Sequence, residues 1–129
     1  MNSTNSRLLV FFLIAVAFST QSLAQKDTGS IVGTVKDPSG AVVPNAQVTV
    51  KDIERGTTFV THTSDSGEYV ASTLKIGRYT VTVEHSGFKK AVSVPVDLDV
   101  QQRIAVNVTL QVGQAMESVE VGHRHGAAA

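Results

Sequence analysis

The residues with chemistry to offer are few and scattered. Asp65-Ser66-Gly67-Glu68, with Asp37 in a separate turn, supplies oxygens of the kind calcium takes. Calcium needs about six to eight of them, and these loops lack the dense acidic alternation of a calcium loop. The short polar side chains suit turn capping better. His123-Arg124-His125 sets two imidazoles on either side of a guanidinium, whose charge opposes a cation, so this end reads as solvated. His62 and His85 fall on the polar faces of alternating segments and are expected to be exposed. Ser64, Asp65 and His62 are neighbours in sequence, but alternation and the intervening turn point them apart. There is no Gly-x-Ser-x-Gly, and the absence of cysteine removes thiol catalysis and thiolate metal sites. The expectation is no catalytic residue, no metal ligand and no cofactor.

Sugar recognition asks for exposed aromatic platforms beside polar groups. After the first two dozen residues the chain has Phe59, Tyr69, Tyr79 and Phe88, and no tryptophan anywhere. Phe59 is the candidate glycan contact. Asn107 begins an Asn-x-Thr triplet in mid-strand, where chance accounts for it.

The elements that must carry these residues begin after a leader. In the 129-residue chain, Arg7 precedes an apolar run from Leu8 to Phe18, then small residues ending in Ser-Leu-Ala-Gln. That is the layout of a secretory signal peptide, with cleavage expected after Ala24. The run is shorter than the roughly 20 residues a membrane-spanning helix needs. Removing Arg7 leaves a net charge near −1, from a whole-chain balance of 11 basic and 11 acidic residues. Nucleic acid is therefore not an expected partner, since that would call for a basic face. An exported chain without cysteine forgoes disulfides and must stand on its apolar core.

From Gly29 onward the pattern has period 2. Ile31, Gly33 and Val35 share a face, as do Ala46, Val48 and Val50. So do Tyr79, Val81 and Val83; Val92, Val94, Val96 and Leu98; and Ile104, Val106, Val108 and Leu110. Such alternation reads as half-buried strands. Seven are expected, near 29–36, 46–52, 57–64, 68–72, 78–85, 90–98 and 103–111. Pro95 cannot donate to a ladder, which places the sixth strand at an edge or bulges it there. The signals between them, such as Asp37-Pro-Ser-Gly40, are turns. Proline second and glycine fourth fit a type I turn, with the Asp37 carboxylate available to the backbone that follows. The expected architecture is an all-β, seven-stranded antiparallel sandwich over 29–112, after a leader at 1–24. A flexible tail at 113–129 follows, in which Glu-Ser-Val-Glu-Val has the pattern of a short strand.

The order of these signals carries a resemblance. Gly29, Ile31, Gly33, Val35, Asp37 and Gly40 come first, then Ala46, Val48 and Val50. Thr61, Thr63, Asp65, Gly67 and Tyr69 follow, then Leu74, Gly77 and Tyr79, and finally Gly87 and Phe88. Together they resemble the carboxypeptidase regulatory-like domain, a transthyretin-like sandwich with a carbohydrate-binding-like topology. Lys75-Ile76 departs from the prolines usual before Gly77. The resemblance implies structural roles for Gly33, Asp37, Gly40, Gly67, Tyr69, Gly77, Tyr79 and Phe88. It places Tyr69, Leu74, Tyr79 and Phe88 between the sheets, and glycines where a side chain would strain a turn. A hydrolase branch of the transthyretin-like fold is not expected, because its terminal Tyr-Arg-Gly-Ser is replaced by Gly-Ala-Ala-Ala.

Such domains often follow the signal peptide of bacterial TonB-dependent outer-membrane receptors, and Val-Gly-Gln-Ala-Met-Glu-Ser-Val-Glu-Val resembles their linker. The resemblance thus implies an exported, non-catalytic spacer or docking module, periplasmic, outer-membrane-associated or secreted. It would be either a stand-alone module or part of a longer receptor frame. Its partner would be an outer-membrane or cell-surface protein meeting a sheet edge, with a polysaccharide as the alternative ligand.

Overall fold

A computed structural model describes residues 27–114 and 118–122. The expected signal peptide and the His123-Arg124-His125 triplet lie outside the described residues. Among the described residues ten strands form in chain order: β1 (Thr28–Lys36), β2 (Gln47–Asp52), β3 (Thr58–His62), β4 (Glu68–Lys75), β5 (Gly77–Glu84), β6 (Lys90–Ser93), β7 (Val96–Leu98), β8 (Arg103–Ala105), β9 (Val108–Thr109) and β10 (Ser118–Val121). No helix occurs among the described residues. The smaller sheet runs β4-β1-β8, with β9 continuing beside β1. The larger runs β10-β6-β5-β2-β3, with β7 beside β5.

The all-β sandwich expected from alternation is the fold the chain adopts, but two expected strands are broken. Pro95 separates β6 from β7, and Val106-Asn107 separate β8 from β9. The first break shifts the phase of burial. Ala91 and Ser93 are buried in β6, and Val96 and Leu98 in β7. Val92 and Val94 are only half-buried, so the single face Val92-Val94-Val96-Leu98 is not formed. An odd offset across an irregular step moves every side chain to the opposite face. The sandwich is also not purely antiparallel. β8 and β9 run parallel to β1, and β10 runs parallel to β6. Ser118–Val121 of the Glu-Ser-Val-Glu-Val segment thus supply the short strand that its pattern allows.

Between the sheets lie Ile31 and Val35 of β1, Val48 and Val50 of β2, Val81 and Val83 of β5, and Ile104, Val106, Val108 and Leu110. Each such side chain contributes about 1.5–3 kcal/mol by leaving water. The layer is thin at one point: a Cβ on Gly33 would sit 2.0 Å from the Val106 carbonyl oxygen and 2.7 Å from the Tyr69 ring. Only glycine fits there. Tyr69 donates its hydroxyl to that same carbonyl at 2.6 Å, and the Asn107 Oδ1 accepts the Thr34 N–H at 3.0 Å. Together they satisfy backbone groups that the break would otherwise orphan.

One side of the sandwich is laced shut. Lys89 N–H donates to Gln111 O, Gly113 N–H donates to Gly87 O, and Phe88 bridges Val112. The opposite side is bounded by the terminal strands β3 and β4.

Candidate functional site

The candidate site is the cleft where β3 and β4 diverge. Their hairpin starts tightly. Ser64 N–H donates to Glu68 O, and Gly67 N–H to Ser64 O. Gly67 has φ 74°, and a Cβ there would meet Val42 at 2.7 Å. From this turn the two strands belong to different sheets and separate. At the far end Val50, Phe59, Leu74 and Tyr79 line a cleft of about 240 Å³, with Asp52, Arg55 and Lys75 at its rim.

Each lining group has a physical reason for its place. Phe59 pairs with Val50 across the β2–β3 ladder, so it shares the inward face. With no strand beyond β3 among the described residues to cover it, it stays 38% exposed. Tyr79 is buried and donates its hydroxyl to Lys75 O at 2.7 Å. Burial, together with the nearby Asp52 charge, pushes its hydroxyl above the ordinary tyrosine range. On the β4 side, three steps from Ala71 to Leu74 oppose two from Ile31 to Gly29, which is a β-bulge. Within it Thr73 takes φ 59°, a strained value for a β-branched residue.

Asp52 organises the rim, and sequence reading did not single it out. Its side chain is 1% exposed. Oδ1 accepts the N–H groups of Glu54 and Arg55, both at 3.0 Å. Oδ2 accepts Arg55 Nη1–H at 2.6 Å. The same Nη1 donates to Ile76 O at 3.1 Å. The bonds from Arg55 hold the Asp52 carboxyl below the usual carboxylate range. The available signal was an acidic residue at an inward position of the Gln47–Asp52 alternation, followed three residues later by arginine.

The other expected residues separate into structural roles. Asp37 Oδ1 accepts Ser39 N–H and Oγ–H and Ala41 N–H, so its carboxylate caps its own turn. The Ser39 bond above all lowers its pKa. Ser64 Oγ bonds Ser66 Oγ at 2.9 Å within the hairpin turn. Among the described residues no cluster of three or more potential metal ligands is assembled. Gly40 and Gly87 have φ 88° and 84°. Gly77 has φ 159°, at the edge of the range that disfavours a side chain, and a Cβ there would approach Arg55 Nη1 at 3.0 Å.

Tyr69 is fully in the core, whereas Phe88 is only half-buried, packed at the rim of the core. Its ring meets His85 edge-on, with centroids 5.8 Å apart. His85 is accordingly half-buried, and His62 is exposed. The two line one shallow basin with Asn45, Gln47 and Glu84, an arrangement that alternation alone did not reveal.

The sequence profile of the carboxypeptidase regulatory-like domain matches residues 30–111. No curated protein matches the chain in sequence. Among solved structures the chain is similar to the Bacillus anthracis TIE protein. There the identity is 18% and the TM-score 0.57, covering 67% of this chain and 17% of that one. It is similar to Acinetobacter radioresistens catechol 1,2 dioxygenase at 15% identity and TM-score 0.58, covering 78% and 57%. It is also similar to a streptococcal ancillary pilin at 13% identity and TM-score 0.54, covering 69% and 34%. The chain thus spans less than two-thirds of each of these structures. At these identities the likeness is one of fold.

Proposed function

Because this chain belongs to the carboxypeptidase regulatory-like domain family, we propose that it is an exported, non-catalytic accessory module that docks another polypeptide by strand addition at β3. The supporting observation is the character of that edge. Among the described residues β3 lies at the end of its sheet, so one row of its backbone groups faces no other described strand. Its sequence Thr-Phe-Val-Thr-His has no proline, lysine or acidic residue, and its register with β2 runs without a shift from Gln47–His62 to Lys51–Thr58. Proteins usually blunt such edges with charge, proline or a bulge. An edge left in regular register, without proline, lysine or acidic residues, is suited to β-augmentation. The partner in this reading is an outer-membrane or cell-surface protein, met on the periplasmic or outer side of the envelope.

The experiment compares two edge positions of nearly equal exposure, Val60 on β3 (53%) and Val70 on β4 (51%). A photo-crosslinking benzoylphenylalanine is placed at each in turn in the full chain, expressed in its host. A discrete envelope-protein adduct from position 60 alone is the expected result. Equal adducts at both positions, or none at 60, overturn docking at β3. N-terminal sequencing of the exported product is expected to start at Gln25. A glycan reading is favoured by Phe59 at its cleft. Retention on a polysaccharide column that is lost in Phe59→Ala would replace the docking reading with it.

A further inference from the structure

The cleft also bears on what docks at β3. In an added antiparallel strand, the residue opposite Phe59 shares its inward face. That side chain therefore lies over the apolar lining of Val50, Leu74 and Tyr79. Strand alternation returns the next inward side chain two residues later. In the direction of Thr57 this second side chain arrives at Arg55 and Lys75. The charges lining the cleft are Asp52, Arg55 and Lys75, which leaves one net positive charge. Asp52 is buried and spent on Arg55, while the Arg55 side chain remains 41% exposed. Both of its hydrogen bonds use Nη1, so Nη2 and Nε carry no protein bond among the described residues. A guanidinium held this way has part of its ordering entropy already removed, and it offers a fork for a carboxylate.

We propose that the cleft selects the strand that docks on β3: an extended polypeptide segment with an apolar side chain opposite Phe59 and an acidic one two residues on, toward Arg55 and Lys75. The proposal rests on strand addition at β3 and specifies the partner's chemistry. Inward alternation sets the spacing. The apolar floor sets the first residue, and the cationic rim sets the second.

The probe is the blocked heptapeptide Thr-Val-Thr-Phe-Thr-Glu-Thr, with acetyl and amide ends so that its one carboxylate is the glutamate. Its partner probe carries glutamine in place of glutamate. Each is titrated into the full chain and followed by backbone amide NMR. Saturable shifts on Thr58–His62 are expected, with the glutamate peptide binding about fivefold more tightly at low salt. In Asp52→Asn/Arg55→Gln, which removes both charges so that neither is left buried and unpaired, the preference is expected to shrink to what Lys75 alone supplies, and an undiminished fivefold preference overturns selection by Arg55. Should circular dichroism show that variant unfolded, Lys75→Gln takes its place, with the fivefold preference expected to shrink. Equal affinities for the wild type, with β3 amides still shifting, overturn the selection and leave β3 docking standing. Failure of both peptides to move β3 amides at millimolar concentration overturns strand addition as well.

Discussion

β3 and β4 are both terminal strands on the same open side of one sandwich, yet they are built oppositely. β4 opens with Glu68 and closes with Lys75, and it is interrupted by the Thr73 bulge. Its inward aromatic, Tyr69, is 2% exposed and hydrogen-bonded to Val106 O. β3 has none of these devices, and its inward aromatic, Phe59, is 38% exposed. Charge and a bulge are the means by which edges are kept from pairing. Edge position alone therefore does not decide whether a terminal strand is blunted or left regular. The neighbouring edge, in the same solvent and on the same fold, is blunted.

The largest test of this contrast is truncation of the two aromatics. Tyr69→Ala is expected to cost about 3–5 kcal/mol in urea denaturation, as for other buried aromatics. Phe59→Ala is expected to cost less than about 1 kcal/mol, because the site is already open to water. Comparable losses would mean that β3 is held by the core as firmly as β4.

A smaller effect concerns pH. The folded-state pKa of Asp52 is lowered, so its contribution is present above the unfolded carboxylate value of 3.8 and is lost as pH falls through the folded value. Urea midpoints measured from pH 6 down to pH 2 should therefore fall less steeply in Asp52→Asn than in the wild type. The difference should be confined to the region below about pH 4–5. Parallel curves would show that the β2–β3 loop is not anchored by that carboxylate.

Thr73→Gly probes the bulge itself. Relief of the left-handed φ is expected to stabilise the chain by about 0.5–1 kcal/mol. A loss of stability would show that the Thr73 side chain, not the backbone kink, keeps β4 blunt. The smallest expected effect is that of Val60→Lys, within about 0.5 kcal/mol of wild type by thermal melting. A large loss there would mean that the outer face of β3 is structurally committed and not a free edge.

Much of the fold was legible because period-2 burial is a local property. Ile31 and Val35, Val48 and Val50, and Val81 and Val83 are buried as their alternation required. The Asp37-Pro-Ser-Gly40 turn was likewise legible, since its capping bonds run within four residues. The site was less so. Phe59 was legible as an exposed aromatic, but its neighbours in the cleft come from β2, β4 and β5. Asp52 passed unnoticed because an acidic residue at an inward strand position looks like an ordinary strand end. Only the folded loop shows that Arg55 and two backbone N–H groups close on it. Alternation alone puts Val92 and Val94 on the wrong face, because the phase change at Pro95 shows only in the one-residue offset between the β5–β6 and β5–β7 pairings.

The sequence by itself determined an all-β chain, its main buried faces, its turns and its family, because alternation and turn chemistry act over a few residues. The tertiary structure decided which strands became edges and that β8, β9 and β10 would pair in parallel. It also decided that Gly33 would lie against Val106, and that Phe59, Leu74, Asp52 and Arg55 would meet around one cleft. Those outcomes depend on contacts between segments tens of residues apart. No local pattern specifies them, and they exist only once the two sheets have closed on a common core.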